Sequence, residues 1–364
     1  MATIFDYLEW RADVPFSADP FNEVDNLVLA ELSYTDFGGI VPKDGSGLGI
    51  LLPDACKAFF ARHTREEILA EKSFTARAPL LMEEMIKGQR FGNMTLKNYV
   101  NRRGDGYQLS AVTFALDDGT EYVAFRGTDG TVAGWKEDFN FSFMDETEGQ
   151  RLAVEYLNGT EGTLRVGGHS KGGNLAVYAS AFCDCRDRIL EVWSNDGPGF
   201  REEIVRQEAF RQILPKVRKI IPDTSVIGLL LSVPEDCRVV RSSASGIKQH
   251  DGFTWQLKRN RFEQASLSEM SKLIRRTVGT WLETMRDEDR QSFTELVFSL
   301  IESTGKDRFS SMSAEKWKTA ESILNAVRHL PKEKQKEGLK LIGQLSQSSG
   351  AAITDYLAAL VRLK

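Results

Sequence analysis

The sequence predicts an α/β protein whose central sheet is mostly parallel and flanked by helices. The middle of the chain alternates β-rich runs with segments of helical periodicity, as in "TLRVGGH" followed by "GGNLAVYASAFC". This alternation is typical of parallel strands covered by helices on both faces. The composition agrees, because 41% hydrophobic and 27% charged residues in a chain of 364 allow a large buried core.

Three regions follow from the spacing of apolar residues. Residues 1–105 have mostly helical spacing and are expected to pack on the core. Residues 106–260 form the predicted α/β core, which opens with a hairpin, "YQLSAVTFAL" and "EYVAFRG", joined by "DDGT". Residues 261–364 return to helical spacing, with an apolar stripe from Met270 to Met285, and predict a C-terminal helical extension.

Composition and charge argue against several classes of protein. The formal net charge of -5 gives no electrostatic reason to expect a nucleic acid as partner. The longest apolar run, Val226 to Val233, is too short to span a membrane, and the N-terminus lacks the basic start of a signal peptide. The four cysteines lack zinc-site spacing. We therefore expect a cytoplasmic protein with no metal and no membrane span; its oligomeric state is left open.

The motif with the clearest chemical meaning is "GGHSKGG", which places Ser170 between Gly168 and Gly172. A strand-like run precedes this G-x-S-x-G pattern and a helix-like run follows it, which is the context that the motif of a nucleophilic serine requires. Glycines at both flanks let strand and helix approach closely, and the helix N-terminus favours developing negative charge. We expect Ser170 to be a nucleophile.

A serine nucleophile needs a base whose pKa is near neutral, and histidine is the usual choice. His169 adjoins Ser170 and is expected to point elsewhere, whereas His63 and His329 lie outside the predicted core. His250 follows the serine and lies in a loop between two predicted strands, so elimination favours it as the base.

Two stretches of the core resemble a known family. "VAFRGTDGTVAGWKEDFNF" and "GGHSKGGNLAVYAS" are similar to class 3 lipases, a branch of the α/β-hydrolases. "DYLEWRADVPF", "WKEDFNFSFMD" and "HDGFTWQL" more closely resemble an Mbeg-like bacterial family, a domain of unknown function with a lipase-like core. The similarity covers about residues 1 to 260 and implies an α/β-hydrolase-like fold of the class 3 lipase type.

The resemblance also implies roles for further residues. Thr128 of "FRGT" and Lys171 match the two residues that form the oxyanion hole with their backbone N–H groups. Asp138 of "WKEDF" matches an aspartate that holds the hydroxyl of the residue equivalent to Thr128 in place. Each has a simpler alternative, since Thr128 could only end a strand, Asp138 could cap a helix, and Lys171 could extend to solvent or place a charge near the site.

The acid of the triad has a leading candidate and a runner-up, and Asp236 and Asp251 also lie near His250 in the sequence. The family order is serine, aspartate, histidine, and Asp223 of "IIPDTSVIG" ends a predicted strand as the family's acid does. Asp196 of "SNDGPGF" also ends a strand and is the alternative. We favour Asp223.

These residues predict a serine acyl-hydrolase that cleaves an ester or thioester through an acyl-enzyme intermediate. The expected partner is a small-molecule or lipid ester, with no organic cofactor, no metal and no nucleic acid. The alternative from a different class is a catalytically inactive α/β-hydrolase-fold binding module that acts through its helical tail. Acyl chain and leaving group are not specified by the sequence.

Overall fold

The computed structural model describes residues 1–43, 48–71, 73–104, 107–128, 140–231 and 237–269, with isolated residues between 271 and 291. Asp138 and nearly all of the predicted C-terminal helical region, including most of its apolar stripe, lie outside the described residues. The three predicted regional boundaries therefore stay a prediction.

The strands of the described chain form one large sheet and one small one. In the large sheet eight strands lie side by side in chain order. They are β1 Ile50–Leu51, β2 Thr95–Gly104, β3 Tyr107–Ala115, β4 Thr120–Phe125, β5 Thr163–His169, β6 Ile189–Asn195, β7 Val217–Pro222 and β8 Arg238–Val240. The small sheet pairs β9 Leu257–Lys258 with β10 Arg261–Phe262.

The large sheet is antiparallel at one edge and parallel from β4 onward. β1 to β4 pair antiparallel, and the predicted hairpin is confirmed as β3 and β4, joined by a tight turn. The pairs from β4 to β8 are all parallel. A mostly parallel eight-stranded sheet with flanking helices is the α/β-hydrolase-like arrangement, so the predicted fold class is confirmed. The sheet also takes β1 and β2 from the segment that the sequence predicted to be mainly helical.

The α-helices of the described chain flank this sheet. Six precede the parallel strands: α1 Ile4–Arg11, α2 Glu23–Leu32, α3 Leu52–Phe60, α4 Arg65–Ala70, α5 Leu80–Met85 and α6 Gln89–Gly92. Four lie among them: α7 Glu148–Asn158, α8 Lys171–Phe182, α9 Glu202–Val205 and α10 Glu208–Ile213. Within the described chain, no helix combines the length and apolar character that crossing a bilayer requires.

Two apolar cores cover the two faces of the sheet. Alternate residues of β4 illustrate the division, because Tyr122 and Ala124 belong to the core shared with the N-terminal helices, whereas Val123 and Phe125 belong to the core under α7 and α8. This alternation is what the pleat of a strand dictates. The N-terminal segment is thus an integral layer of the fold.

Helix α2 is buried along its whole length and carries charged side chains into the first of these cores. Its start is fixed by Asn22, whose side chain accepts hydrogen bonds from Val24 N and Asp25 N. Asp25 receives both Arg90 Nε, at 2.7 Å, and Arg90 Nη2, at 2.5 Å, and neither side chain is exposed. A buried ion pair satisfied in this two-pronged way is strongly destabilised when one partner is removed.

We expect Arg90→Met to lower the free energy of unfolding by about 3–5 kcal/mol, because it leaves the Asp25 carboxylate buried without its charged partner. Urea denaturation followed by circular dichroism measures the change. Arg151→Met is the matched control, since Arg151 pairs with Glu148 and Glu155 on the exposed face of α7. Its loss should cost less than about 1 kcal/mol, and equal costs for the two variants would contradict this account of the buried pair.

Candidate active site

Ser170 lies on a sharp corner between a strand and a helix. β5 ends at His169 and α8 begins at Lys171, so Ser170 is the single residue that joins them. Its backbone angles, φ 57° and ψ -132°, lie in a region that residues other than glycine seldom adopt. Ser170 N–H donates to Asn195 O at 2.9 Å, and Ser170 O accepts from Gly173 N at 2.9 Å. The strained corner is therefore held from both sides.

Gly168 and Gly172 are required by the close approach of β4, β5 and α8. A Cβ atom at Gly172 would lie 2.0 Å from Phe125 O, and one at Gly168 would lie 2.4 Å from both Phe125 O and the Gly172 carbonyl carbon. These neighbours are main-chain atoms, so rotation of a side chain cannot relieve the overlap. The flanking glycines of the motif thus allow the helix to start directly against the end of β4.

Gly127, which follows β4, faces the same corner. A Cβ atom there would lie 2.2 Å from the Tyr34 hydroxyl, 2.6 Å from His169 O and 3.0 Å from Ser170 Cβ. Because Gly127 has no side chain, both Ser170 and the Tyr34 hydroxyl can pack closely against it. Thr128, the next residue, is half-buried and is the last one described before the gap that contains Asp138.

His250 meets a buried carboxylate. Its Nδ1 lies 2.7 Å from Asp196 Oδ2, and the Asp196 side chain is 1% exposed. The other carboxylate oxygen accepts from Ser225 Oγ at 2.5 Å and from Gly228 N at 3.1 Å. Asp196 itself has a positive φ of 47°. A three-point hydrogen-bonded carboxylate of this kind fixes the orientation of the imidazole ring.

Competing effects set the pKa of Asp196. Burial acts to raise that pKa, but the hydrogen bond and charge of His250, with the Ser225 hydrogen bond, outweigh burial and hold the pKa below its usual value. Asp196 is therefore ionised at neutral pH and accepts the hydrogen on His250 Nδ1. His250 Nε2 is left as the proton acceptor of the ring.

The structure brings His250 together with Asp196, whereas the sequence favoured Asp223 as its partner. The register pairs His169 with Asn195 across β5 and β6, so the residues that follow, Ser170 and Asp196, stand at the same level. Asp223 follows β7, one strand further from Ser170, and adjacent strands are separated by about 4.8 Å. The alternative acid, Asp196, is the one that contacts His250.

Asp223 has surroundings of its own. Its N–H donates to Val240 O at 2.9 Å and its carbonyl accepts from Ser268 N at 2.8 Å. Its side chain lines an open cavity of about 540 Å³ together with Arg241 and Gln264. Ser170, Asp196 and His250 are not among the residues that line this cavity.

Lys171 does not extend to solvent. The side chain is 1% exposed, and its Nζ donates to Gln108 O of β3 at 2.9 Å. The alternative that Lys171 only reaches solvent is therefore wrong. Lys171 is the first residue of α8, so its backbone N–H lies in the first turn of the helix. N–H groups of a first turn have no partner within the helix and favour a negative charge placed at the helix N-terminus.

Sequence reasoning missed three residues that lie next to His250 or to each other: His169, Tyr34 and Glu31. His169 Nε2 lies 2.7 Å from His250 O, and His169 Nδ1 lies 3.0 Å from the Tyr34 hydroxyl. The Glu31 carboxylate lies 3.8 Å from His169 Nδ1 and is fully buried. Glu31 and Tyr34 belong to the N-terminal segment, so only a three-dimensional arrangement reveals their place beside Ser170.

The described residues show no group of three or more histidine, cysteine, aspartate or glutamate side chains placed to hold a metal ion.

Comparison with known proteins places the chain in a family. The model of the Mbeg1-like family matches residues 85–299, which is more than half of the chain. The chain belongs to the Mbeg1-like family. The matched range of this Mbeg1-like protein contains Ser170, Asp196 and His250.

Among solved structures, a crystal structure of M37 lipase is similar to this Mbeg1-like chain, with a TM-score of 0.35 and 15% identity. The alignment covers 57% of this chain and 70% of the lipase chain. No curated protein matches the sequence.

In this Mbeg1-like protein, Gly172→Ala should lower the free energy of unfolding by about 1–3 kcal/mol, because the added methyl overlaps the main chain of Phe125. Urea denaturation measures the change. Gly159→Ala is the matched control: its Cβ meets no atom nearer than 3.5 Å and its φ of -83° suits alanine. A Gly172→Ala protein as stable as this control would show that the corner does not need the glycine.

Proposed function

We propose that the chain is a serine acyl-hydrolase that cleaves an ester or thioester through an acyl-enzyme intermediate. Ser170 is the nucleophile, His250 the general base and Asp196 the acid that orients it. The observation that carries the proposal is the strained backbone of Ser170 at the N-terminus of α8. At the same level of the next strand, the Asp196 carboxylate lies 2.7 Å from His250 Nδ1. Strain of this kind persists where it serves a site.

The proton path follows from the hydrogen bonds. Asp196 holds the hydrogen on His250 Nδ1, so Nε2 takes the proton of Ser170 Oγ as that oxygen attacks the substrate carbonyl. The imidazolium then donates this proton to the leaving group, and water repeats the sequence to release the acid. In the described part of the structure Ser170 Oγ makes no hydrogen bond, which fits sites whose catalytic hydrogen bonds tighten only when substrate binds.

The negative charge of the tetrahedral intermediate needs donors near Ser170. We assign this role to the backbone N–H groups of Lys171 and Thr128. Lys171 is the first residue of α8, directly after Ser170. Thr128 follows Gly127, and Gly127 is close to the serine, because a Cβ atom added at Gly127 would lie 3.0 Å from Ser170 Cβ. Donors fixed in a buried site stabilise an oxyanion because they need no rearrangement during the reaction.

Covalent labelling tests the nucleophile. A fluorophosphonate probe should modify the folded chain at Ser170 alone, as located by peptide mass spectrometry. Labelling should disappear in Ser170→Ala and after heat denaturation. A well-folded chain that is modified neither by the probe nor by acyl transfer from p-nitrophenyl acetate would contradict the proposal and favour the inactive binding module. Labelling of a different serine would contradict the assignment of Ser170 as the nucleophile.

A pair of aspartate variants tests the acid. Asp196→Asn should slow labelling by about 10⁴-fold, because an amide stabilises the wrong tautomer of His250 and cannot stabilise the imidazolium. Asp223→Asn is the matched control and should label at the wild-type rate, since the carboxylate that contacts His250 is that of Asp196. The reverse order of effects would restore Asp223 as the acid.

A further inference from the structure

Three polar side chains behind His250 form a chain of contacts that the proposed mechanism does not use. His169 bridges the Tyr34 hydroxyl, at 3.0 Å, and the main-chain carbonyl of His250, at 2.7 Å. The rings of His169 and His250 lie with centroids 4.5 Å apart. Glu31 lies on the far side of His169. We call Tyr34, His169 and Glu31 the rear cluster.

The hydrogen on His169 Nε2 can be assigned from its partner. The carbonyl of His250 can only accept a hydrogen bond, so a nitrogen 2.7 Å from it must carry a hydrogen. The ring is then either neutral, with Nδ1 as an acceptor, or a doubly protonated imidazolium. Only the neutral form lets the Tyr34 hydroxyl donate to Nδ1.

Burial selects the neutral form. His169 is 0% exposed, and burial, followed by the nearby His250, lowers the pKa of its imidazole to about 3. Tyr34 therefore donates its hydroxyl hydrogen to His169 Nδ1 and presents its oxygen as an acceptor toward Gly127 and Ser170. Because that hydrogen is committed, Tyr34 is not a donor to the oxyanion.

Glu31 is compatible with this arrangement only when it is uncharged. Both carboxyl oxygens are buried and lack a hydrogen-bond partner among the described residues. Burial, together with the charge of Asp251, raises the pKa of Glu31 well above its usual value. At 3.8 Å from His169 Nδ1, an ionised Glu31 would attract a proton to that nitrogen and displace the Tyr34 hydrogen bond.

We propose that Tyr34 and His169 are positioning residues for the base: they fix the main-chain carbonyl of His250 and so hold its ring between Asp196 and Ser170. This inference rests on the proposed function. The preceding residue is also anchored, because Gln249 O accepts from Trp255 Nε1 at 2.8 Å and its side chain bonds Thr224 N at 2.8 Å. His169 supplies the corresponding anchor at His250 itself.

Other charged groups surround this pair. Asp251 follows the base and lies 3.3 Å from Arg77, and Lys248 precedes it in the same turn. Lys219 is buried near Asp196, with its Nζ donating to Gly197 O at 2.5 Å. None of the variants below changes these groups, so they do not account for differences between variants.

The first test is spectroscopic and does not depend on activity. Two-bond ¹H–¹⁵N spectra of the full chain labelled with ¹⁵N-histidine should show His169, assigned with His169→Gln, as a neutral Nε2–H tautomer from pH 5.5 to 8. Tyr34→Phe should remove the hydrogen-bond shift of Nδ1. Glu31→Gln, a neutral isostere, should leave the tautomer unchanged. A His169 that titrates near pH 6.5, or that carries its hydrogen on Nδ1, would overturn the proposal.

The second test measures labelling of Ser170 by the fluorophosphonate. His169→Leu should slow it about 10²-fold, the effect of a small misplacement of a catalytic group. His169→Gln, whose amide can still donate to His250 O, should recover part of the rate, and Tyr34→Phe should slow it about tenfold. Tyr156→Phe is the matched control, because it removes a buried hydroxyl that bonds Thr113 and Asn98 O, and it should label normally.

The pH profile separates positioning from a general loss of stability. Weaker contact between His250 and Asp196 should move the midpoint of the pH profile of labelling. Partial unfolding would lower the amplitude without moving the midpoint. His169→Leu and Tyr34→Phe proteins with wild-type rates and midpoints would overturn the proposal.

The two tests also separate the two claims. A wild-type chain that fails to label contradicts the proposed hydrolase, whereas the ¹⁵N spectra still decide whether Tyr34 and His169 hold the carbonyl of His250. If His169→Leu does not fold, Tyr34→Phe and His169→Gln give the same comparison with less disruption.

Discussion

The hydrogen bond from Ser170 N–H to Asn195 O joins the candidate nucleophile to the strand that carries the candidate acid. Asn195 is the last residue of β6, and the next residue, Asp196, holds His250. The relative position of the candidate nucleophile and the candidate base is therefore set by the last residue of β6, by the residue that follows it and by one parallel register. Both Ser170 and Asp196 have positive φ, so each turns sharply away from its strand toward the same space. A shift of β6 by one residue would separate them and exchange the side chains that this strand gives to the two cores.

Close packing of the main chain makes this register possible. The end of β4, the end of β5 and the start of α8 approach so closely that glycine is required at 127, 168 and 172. The free energy of the strained Ser170 corner is offset by the apolar core beneath α8, in which the whole helix up to Ala181 is buried. The same contacts place the helix N-terminus, with its partial positive charge, beside the serine oxygen. Stability and the proposed chemistry thus depend on one set of contacts.

The sequence predicted the features that local pattern determines. The hairpin of β3 and β4, the strand β5, the helix α8 and the corner between them follow from alternation, turn residues and glycines. The sequence favoured Asp223 as the acid over Asp196, and both follow parallel strands, so only the order and register of those strands tell which one contacts His250. Glu31 and Tyr34 could not be predicted as neighbours of the site, because their contacts with His169 arise from packing across more than 130 positions of the chain.

Two adjacent histidines require opposite environments if this site is to work. His250 must accept a proton, and Asp196 favours its charged form at 2.7 Å. A second imidazolium with its ring centroid 4.5 Å away would oppose that proton, so His169 must stay neutral. The fold meets both requirements: the ionised carboxylate is hydrogen-bonded to His250, while His169 is buried against a hydroxyl and a carboxyl that burial keeps protonated. The different surroundings of the two imidazoles thus divide the proposed roles, which are proton transfer for His250 and structure for His169.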